Sequence, residues 1–218
     1  MDFDLSLYVV LDPRLTSGRA LLDVARSALR GGATVLQFRD KDASTREALA
    51  AAAALAALAR AAGARLIVND RADVAAAADA SGVHLGPDDL SVAAARALLG
   101  PRALIGFSAG TPAEARDAER AGADYLGTGA VYGTLSKADA GPPIGVDGLE
   151  SVIRATGLPV VAIGGVTPGR AAPCIRAGAA GVAVITAVTL AADVERAARV
   201  LRAEVETARS GRGDAPHR

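Results

Sequence analysis

Short apolar runs rich in β-branched residues alternate along this chain with longer alanine-rich segments. The runs are Leu7–Leu11, Thr34–Phe38, Leu66–Val68, Val83–Leu85, Leu104–Phe107, Tyr125–Gly127, Val160–Ile163 and Gly181–Ile185. A strand covered on both faces needs no polar alternation, so continuous runs of this kind predict buried parallel strands. The intervening segments open as helices open. Ser44 with Glu47, and Thr111 with Glu114, have capping-box spacing, in which hydroxyl and carboxylate satisfy orphan amides reciprocally. Pro112 and Pro168 suit first helical positions, where a backbone donor is not needed. Gly31, Gly63, Gly100, Gly122, Gly157 and Gly178 stand where helices would stop.

This unit of strand, loop, helix and glycine stop recurs eight times. Each unit is roughly 20–35 residues long, near the size of a βα repeat. Eight units predict an α/β fold of one kind, a single (β/α)8 or TIM barrel. An open doubly wound sheet is the alternative, but no G-x-G-x-x-G follows the first strand. Two segments break the rhythm. Thr128–Gly145 is far longer than an ordinary βα loop, and loops of that length are functional or disordered. Ala208–Arg218 is polar and glycine-rich, so a barrel over 1–207 with a frayed tail over 208–218 is expected.

Composition narrows the chemistry. Aromatic residues make up only 3% of the 218, which argues against stacking platforms for single-stranded nucleic acid. Lys+Arg and Asp+Glu balance at 24 each, so any phosphate must be held by local arrangements and not by a general field. One cysteine, Cys174, excludes an internal disulfide and a multi-cysteine zinc site. Just two histidines, His84 and His217, exclude a histidine-rich metal centre. The opening residues lack signal-peptide character and no long uncharged apolar run follows, so a cytoplasmic chain with no membrane partner is expected. Oligomeric state is left open, a homo-oligomer included. Arg212-Gly213-Asp214 is read as a coincidence and not an adhesion signal. Against 22 arginines there are only two lysines, Lys41 and Lys137, with one glutamine, Gln37, and one asparagine, Asn69. All four fall at inferred strand ends or the loops beyond, where barrels of this type carry their chemistry.

After the second strand, Gln37 and Arg39 share one side by alternation, with Lys41 just beyond: an amide and two cations suited to a polar ring and a diphosphate. The third strand ends in Asn69-Asp70, and the fourth leads through His84 to Asp88-Asp89. Carboxylates on adjacent strand ends can share Mg2+, a hard cation that prefers oxygen. They can also cap helices, Asp70 the third and Asp88 or Asp89 the fourth. His84 reads as a hydrogen-bonded structural residue. Ser108, at the fifth strand's end, can bond a phosphate or serve only as a helix entry. The long sixth loop carries Thr134, Leu135, Ser136 and Lys137, a glycine-bearing lid able to bring an ammonium to a leaving group. Gly164-Gly165 and Ile185-Thr186 lie after strands seven and eight, the common phosphate site of these barrels.

Taken in order, QFRDK, ND, GVHLGPDDL, the Ser108 segment, GTGAVYGTLSKADAGPPIG, AIGGVTP and GAAGVAVITAV resemble the thiamine-phosphate synthase family from Leu7 to about Val188. The resemblance implies coupling of a hydroxymethylpyrimidine diphosphate with a hydroxyethylthiazole phosphate, free or carboxylated, to give thiamine phosphate and diphosphate. It implies that Gln37, Arg39, Asp40, Lys41, Asn69, Ser108 and Lys137 hold the pyrimidine diphosphate, with Arg39, Lys41, Ser108 and Lys137 catalytic. By the same resemblance Asp70 and Asp89 bind Mg2+, while Thr134, Leu135, Ser136, Gly165, Ile185 and Thr186 hold the thiazole phosphate. The chain departs from the family's pattern in two places. Ser108-Ala109-Gly110 stands where Ser-Thr-His is frequent, and Ala130-Val131-Tyr132-Gly133-Thr134-Leu135-Ser136-Lys137 where Pro-Ile-Phe-Pro-Thr-x-Thr-Lys is common. The related thiazole tautomerases share the barrel but use a histidine near the fifth strand's end, where Gly110 stands. A non-catalytic phosphate-sensing barrel is the other alternative.

Overall fold

A computed structural model describes residues 3–133 and 142–211. Its strands are β1 (Leu7–Leu11), β2 (Val35–Phe38), β3 (Arg65–Asn69), β4 (Gly82–Leu85), β5 (Leu104–Ser108), β6 (Tyr125–Thr128), β7 (Val160–Ile163) and β8 (Gly181–Val184). The helices are α1 (Leu21–Arg30), α2 (Thr45–Ala61), α3 (Ala72–Ala77), α4 (Val92–Leu99), α5 (Pro112–Arg120), α6 (Gly145–Ile153), α7 (Ala171–Arg176), α8 (Thr186–Thr189) and α9 (Val194–Ser210). All neighbouring strands pair in parallel, and β1 pairs with β8 to close the ring in sequence order. This is the eight-stranded TIM barrel that the pattern predicts.

The continuous apolar runs are explained by two separate layers. Leu7, Val9 and Leu11 of β1 face the helices, whereas Tyr8 and Val10 face the lumen. The lumen is filled by side chains such as Val35, Ile67, Leu104, Tyr125, Val161 and Ala183, so it is a core and not a pore. Gln37, Asn69 and His84 follow the inward alternation of their strands and are the buried polar exceptions. Polar groups survive at such depth only when they are paired.

Both capping boxes form, at Ser44 with Glu47 and at Thr111 with Glu114, and Pro112 occupies the first turn of α5. Pro168 does not start a helix: α7 begins at Ala171 with Arg170 as its N-cap. The amides there are held instead by Glu204 of α9, which accepts from Gly169 N and Ala172 N at 2.8 Å each. Gly157 likewise lies beyond the end of α6, its amide donating to Glu119 Oε1 at 3.0 Å. The last helix, α9, runs on through Ser210 with Ala208 buried, three residues past the expected end at 207. Among the described residues no helix is long and apolar enough to cross a membrane.

Candidate active site

At the C-terminal ends of the strands lies a cavity of about 810 Å³, within the usual range for small-molecule sites. Its wall includes Arg39, Lys41, Asn69, Asp70, Asp89 and Ser108 on one side and Gly164, Gly165, Ile185 and Thr186 on the other. β3 and β7 stand four places apart in the closed ring of eight, so the two groups face each other across the mouth.

Arg39 is held in place by a residue that the strand-end reading overlooked. Asp12, directly after β1, accepts from Arg39 Nη1 at 2.8 Å, and both side chains are buried. The same carboxylate accepts from Arg14 N and Nε at 3.0 Å each and from Arg14 Nη2 at 2.8 Å. Burial raises the Asp12 pKa, but the bonds and charge of Arg14 and the charge of Arg39 outweigh it and hold the carboxyl below its ordinary 3.8. Arg14 is shared with a second carboxylate, its Nη1 donating to Asp42 Oδ2 at 2.9 Å, which leaves Asp12 as the partner of Arg39. Arg39 Nε is buried and has no acceptor among the described residues, which makes it a donor available to an anion in the cavity. Asp12 carries the same sequence signal as the other site residues, a charged side chain directly beyond a strand's C-terminal end.

Lys41 Nζ stands 3.9 Å from Asp70 Oδ2, across the gap between the β2 and β3 loops. Asp70 has φ +63°, a left-handed conformation uncommon for a residue with a side chain. Its amide donates to His84 O at 2.8 Å, which ties the end of β3 to β4. The capping alternative fails for both carboxylates. The N-cap of α3 is Arg71 and that of α4 is Ser91, whose hydroxyl accepts from Ala94 N at 3.2 Å. Asp89 Oδ2 instead accepts from Gly86 N at 2.7 Å, folding its loop toward the cavity. Asp88 also lines the wall.

Two residues implied by the resemblance do not reach the wall. Asp40 Oδ1 accepts from Asp42 N and Ala43 N at 3.1 and 3.2 Å, so the side chain shapes the turn into α2. Gln37 is buried in the lumen, and its Nε2 donates to Tyr8 Oη at 2.8 Å. Thr134, Leu135, Ser136 and Lys137 lie outside the described residues. Ser108 is on the wall and bonded at 3.0 Å to Nε2 of His84, which itself lines the cavity. His84 is thus a structural bridge, as expected, and also part of the site.

Across the mouth the backbone comes very close. Val131 N donates to Ile163 O and Tyr132 N to Gly164 O, both at 2.9 Å, so the root of the sixth loop pairs with the loop after β7. A Cβ on Gly165 would lie 2.5 Å from Gly133 O, and its φ of +66° further restricts it to glycine. Beside it, α8 is the short extra helix typical of the phosphate end of these barrels.

Comparison with known proteins identifies the family of the chain. The profile of the thiamine monophosphate synthase family matches residues 7–188. A thiamine-phosphate synthase from Moorella thermoacetica is 52% identical over 203 residues, covering 93% of this chain and 97% of the relative. One from Natronomonas pharaonis is 51% identical over 209 residues, covering 94% and 97%. The solved structure of a thiamine phosphate pyrophosphorylase from Pyrococcus furiosus superposes with a TM-score of 0.87 at 43% identity, covering 94% of this chain and 96% of that one. With a family profile spanning most of its length and relatives above half identity, the chain belongs to the thiamine-phosphate synthase family.

Proposed function

We propose that this cavity joins a hydroxymethylpyrimidine diphosphate to a hydroxyethylthiazole phosphate, releasing thiamine phosphate and diphosphate. The observation that carries the reading is the sharing of one cavity by two opposed groups, Arg39, Lys41, Asp70 and Asp89 against Gly165, Ile185 and Thr186. A substrate pair with a phosphate at each outer end and the reacting atoms between them suits that spacing. The bond that breaks joins the pyrimidine methylene carbon to the diphosphate oxygen, whose electron pair leaves with the diphosphate. The bond that forms takes the thiazole nitrogen lone pair to the same carbon. Leaving-group charge is the main obstacle, and a general base is not required.

Each wall has its own task in this scheme. Arg39, fixed by Asp12 and with Nε free of protein acceptors among the described residues, binds the diphosphate. Lys41 adds a second cation, and Ser108 a hydroxyl. Asp70 and Asp89 fit a divalent cation: both are oxygen donors, both lie on the wall, and neither is a helix cap. Two carboxylates suffice for Mg2+, since it keeps waters and phosphate oxygens among its ligands. When bound there, Mg2+ would neutralise charge on the departing diphosphate. The loop at Gly164-Gly165 and the residues Ile185-Thr186 hold the thiazole phosphate, and Lys137 is assigned to the leaving group from sequence alone.

Supplying both heterocycles with Mg2+ and measuring thiamine phosphate tests the reading directly. The product is expected, and Asp89→Ala is expected to slow its formation at least about a hundredfold. Absence of product from the wild-type chain would refute the function; an unimpaired Asp89→Ala variant would refute the metal assignment.

A further inference from the structure

Five side chains form an unbroken hydrogen-bonded line through the lumen beneath the cavity. Gln37 Nε2 donates to Tyr8 Oη at 2.8 Å, and Tyr8 Oη lies 3.0 Å from Tyr125 Oη. Tyr125 Oη lies 3.2 Å from His84 Nδ1, and His84 Nε2 lies 3.0 Å from Ser108 Oγ. Tyr8 and Tyr125 are 2% and 1% exposed. The barrel is built around them: a Cβ on Gly106 would lie 2.1 Å from the Tyr125 ring and 2.5 Å from His84 Nδ1, and one on Gly127 would lie 3.0 Å from His84 Cε1. Two strands therefore give up their inward side chains to make room for this pair.

The line has a direction. A carboxamide nitrogen only donates, so Tyr8 Oη accepts from Gln37 and must send its own hydrogen onward. Tyr125 Oη is the acceptor at hand, and it in turn sends its hydrogen to His84 Nδ1. An accepting Nδ1 is bare, so the neutral ring carries its hydrogen on Nε2 and donates to Ser108. Ser108 Oγ has then accepted within the protein, and its hydrogen remains for the cavity it lines. We infer that Tyr8 and Tyr125 are positioning residues that hold His84 as the Nε2–H tautomer, so that Ser108 acts as a hydrogen-bond donor to the bound pyrimidine diphosphate. The identity of that ligand rests on the function proposed above; the relay does not. Burial pushes both phenols well above their ordinary pKa of 10.0, which keeps their hydrogens in place at neutral pH.

Histidine-selective 15N spectra of the ligand-free full chain test the relay. The chain has only two histidines, and His217→Gln identifies the second signal. His84 is expected to show a protonated Nε2 and a bare Nδ1, and Tyr125→Phe to convert it to a tautomer mixture. Turnover supplies a second readout. Tyr125→Phe is expected to lower kcat/KM about tenfold in the wild-type background but less than about twofold in Ser108→Ala, where the residue it acts through is gone. An Nδ1–H tautomer in the wild-type chain, an unchanged tautomer in Tyr125→Phe, or a full loss persisting in Ser108→Ala would each overturn the inference. Should Tyr125→Phe fail to fold, the wild-type tautomer decides. A wild-type chain that makes no thiamine phosphate would refute the proposed function, while the histidine spectra would still decide the relay.

Discussion

Arg39 illustrates how a single side chain gains its place. A guanidinium buried this deeply is unstable without a counter-charge, and Asp12 supplies it at 2.8 Å. Asp12→Asn is expected to cost about 3–5 kcal/mol, the usual penalty for leaving a buried charge without its partner, and denaturant unfolding measures it. The pH dependence follows from the lowered pKa of Asp12. Its contribution is complete above the unfolded value near 3.8 and is lost as pH falls through the lower folded value. Wild-type stability should therefore fall more steeply below about pH 4 than that of Asp12→Asn. By contrast, Cys174 takes no part in this chemistry. Burial raises its thiol pKa, and its sulfur rests 3.4 Å from Arg170 O.

The elements that matter most are the two loops crossing at the far wall. The family's usual Phe-Pro is replaced here by Tyr132-Gly133, which exchanges a stiff residue for a flexible one. Other contacts restrain the crossing. The Tyr132 hydroxyl donates to Arg170 O at 3.1 Å, the Arg170 guanidinium lies 5.0 Å from the Tyr132 ring centroid, and Arg170 Nη1 donates to Gly165 O at 3.2 Å. The Tyr132 pKa is pushed up to about 12, chiefly by burial, so the phenol stays neutral and keeps donating. Gly165→Ala is expected to add about 1–2 kcal/mol of left-handed backbone strain and to force apart Gly133 and Gly165. The KM for the thiazole phosphate should rise about tenfold or more, with the KM for the pyrimidine diphosphate little changed. Steady-state kinetics with each substrate varied in turn distinguishes the two.

At the scale of the whole molecule, ring closure sets what the site can do. An open sheet could not bring residues from β2–β4 to face those from β7 and β8; the closed barrel places them on opposite sides of one cavity. The proposed function makes one prediction at this scale. Exhaustive chelation should abolish turnover and added Mg2+ should restore it, whereas undiminished turnover without metal would remove Asp70 and Asp89 from the mechanism. The remaining histidine-based alternative gains little from the geometry. The histidine at the end of β5 comes from β4, and its ring bridges Tyr125 and Ser108.

The number, order and approximate limits of the strands could be read from the chain alone, because buried parallel strands need continuous apolar runs. Both capping boxes were legible for the same local reason. So was the placing of Arg39, Lys41, Asn69, Asp70, Asp89 and Ser108 at strand ends, since alternation and sequence position suffice for that. Local rules misplaced Pro168 and Gly157, because Glu204 and Glu119 reach those turns from distant helices. The family resemblance, not a local rule, put Asp40 with the pyrimidine diphosphate; its side chain accepts from the amides of its own turn. Asp12 under Arg39, the line from Gln37 to Ser108, and the crossing of Gly133 with Gly165 each join residues far apart in sequence. Local propensity carries no record of such pairs. They exist only once the barrel closes, when burial favours pairing between polar groups on different strands.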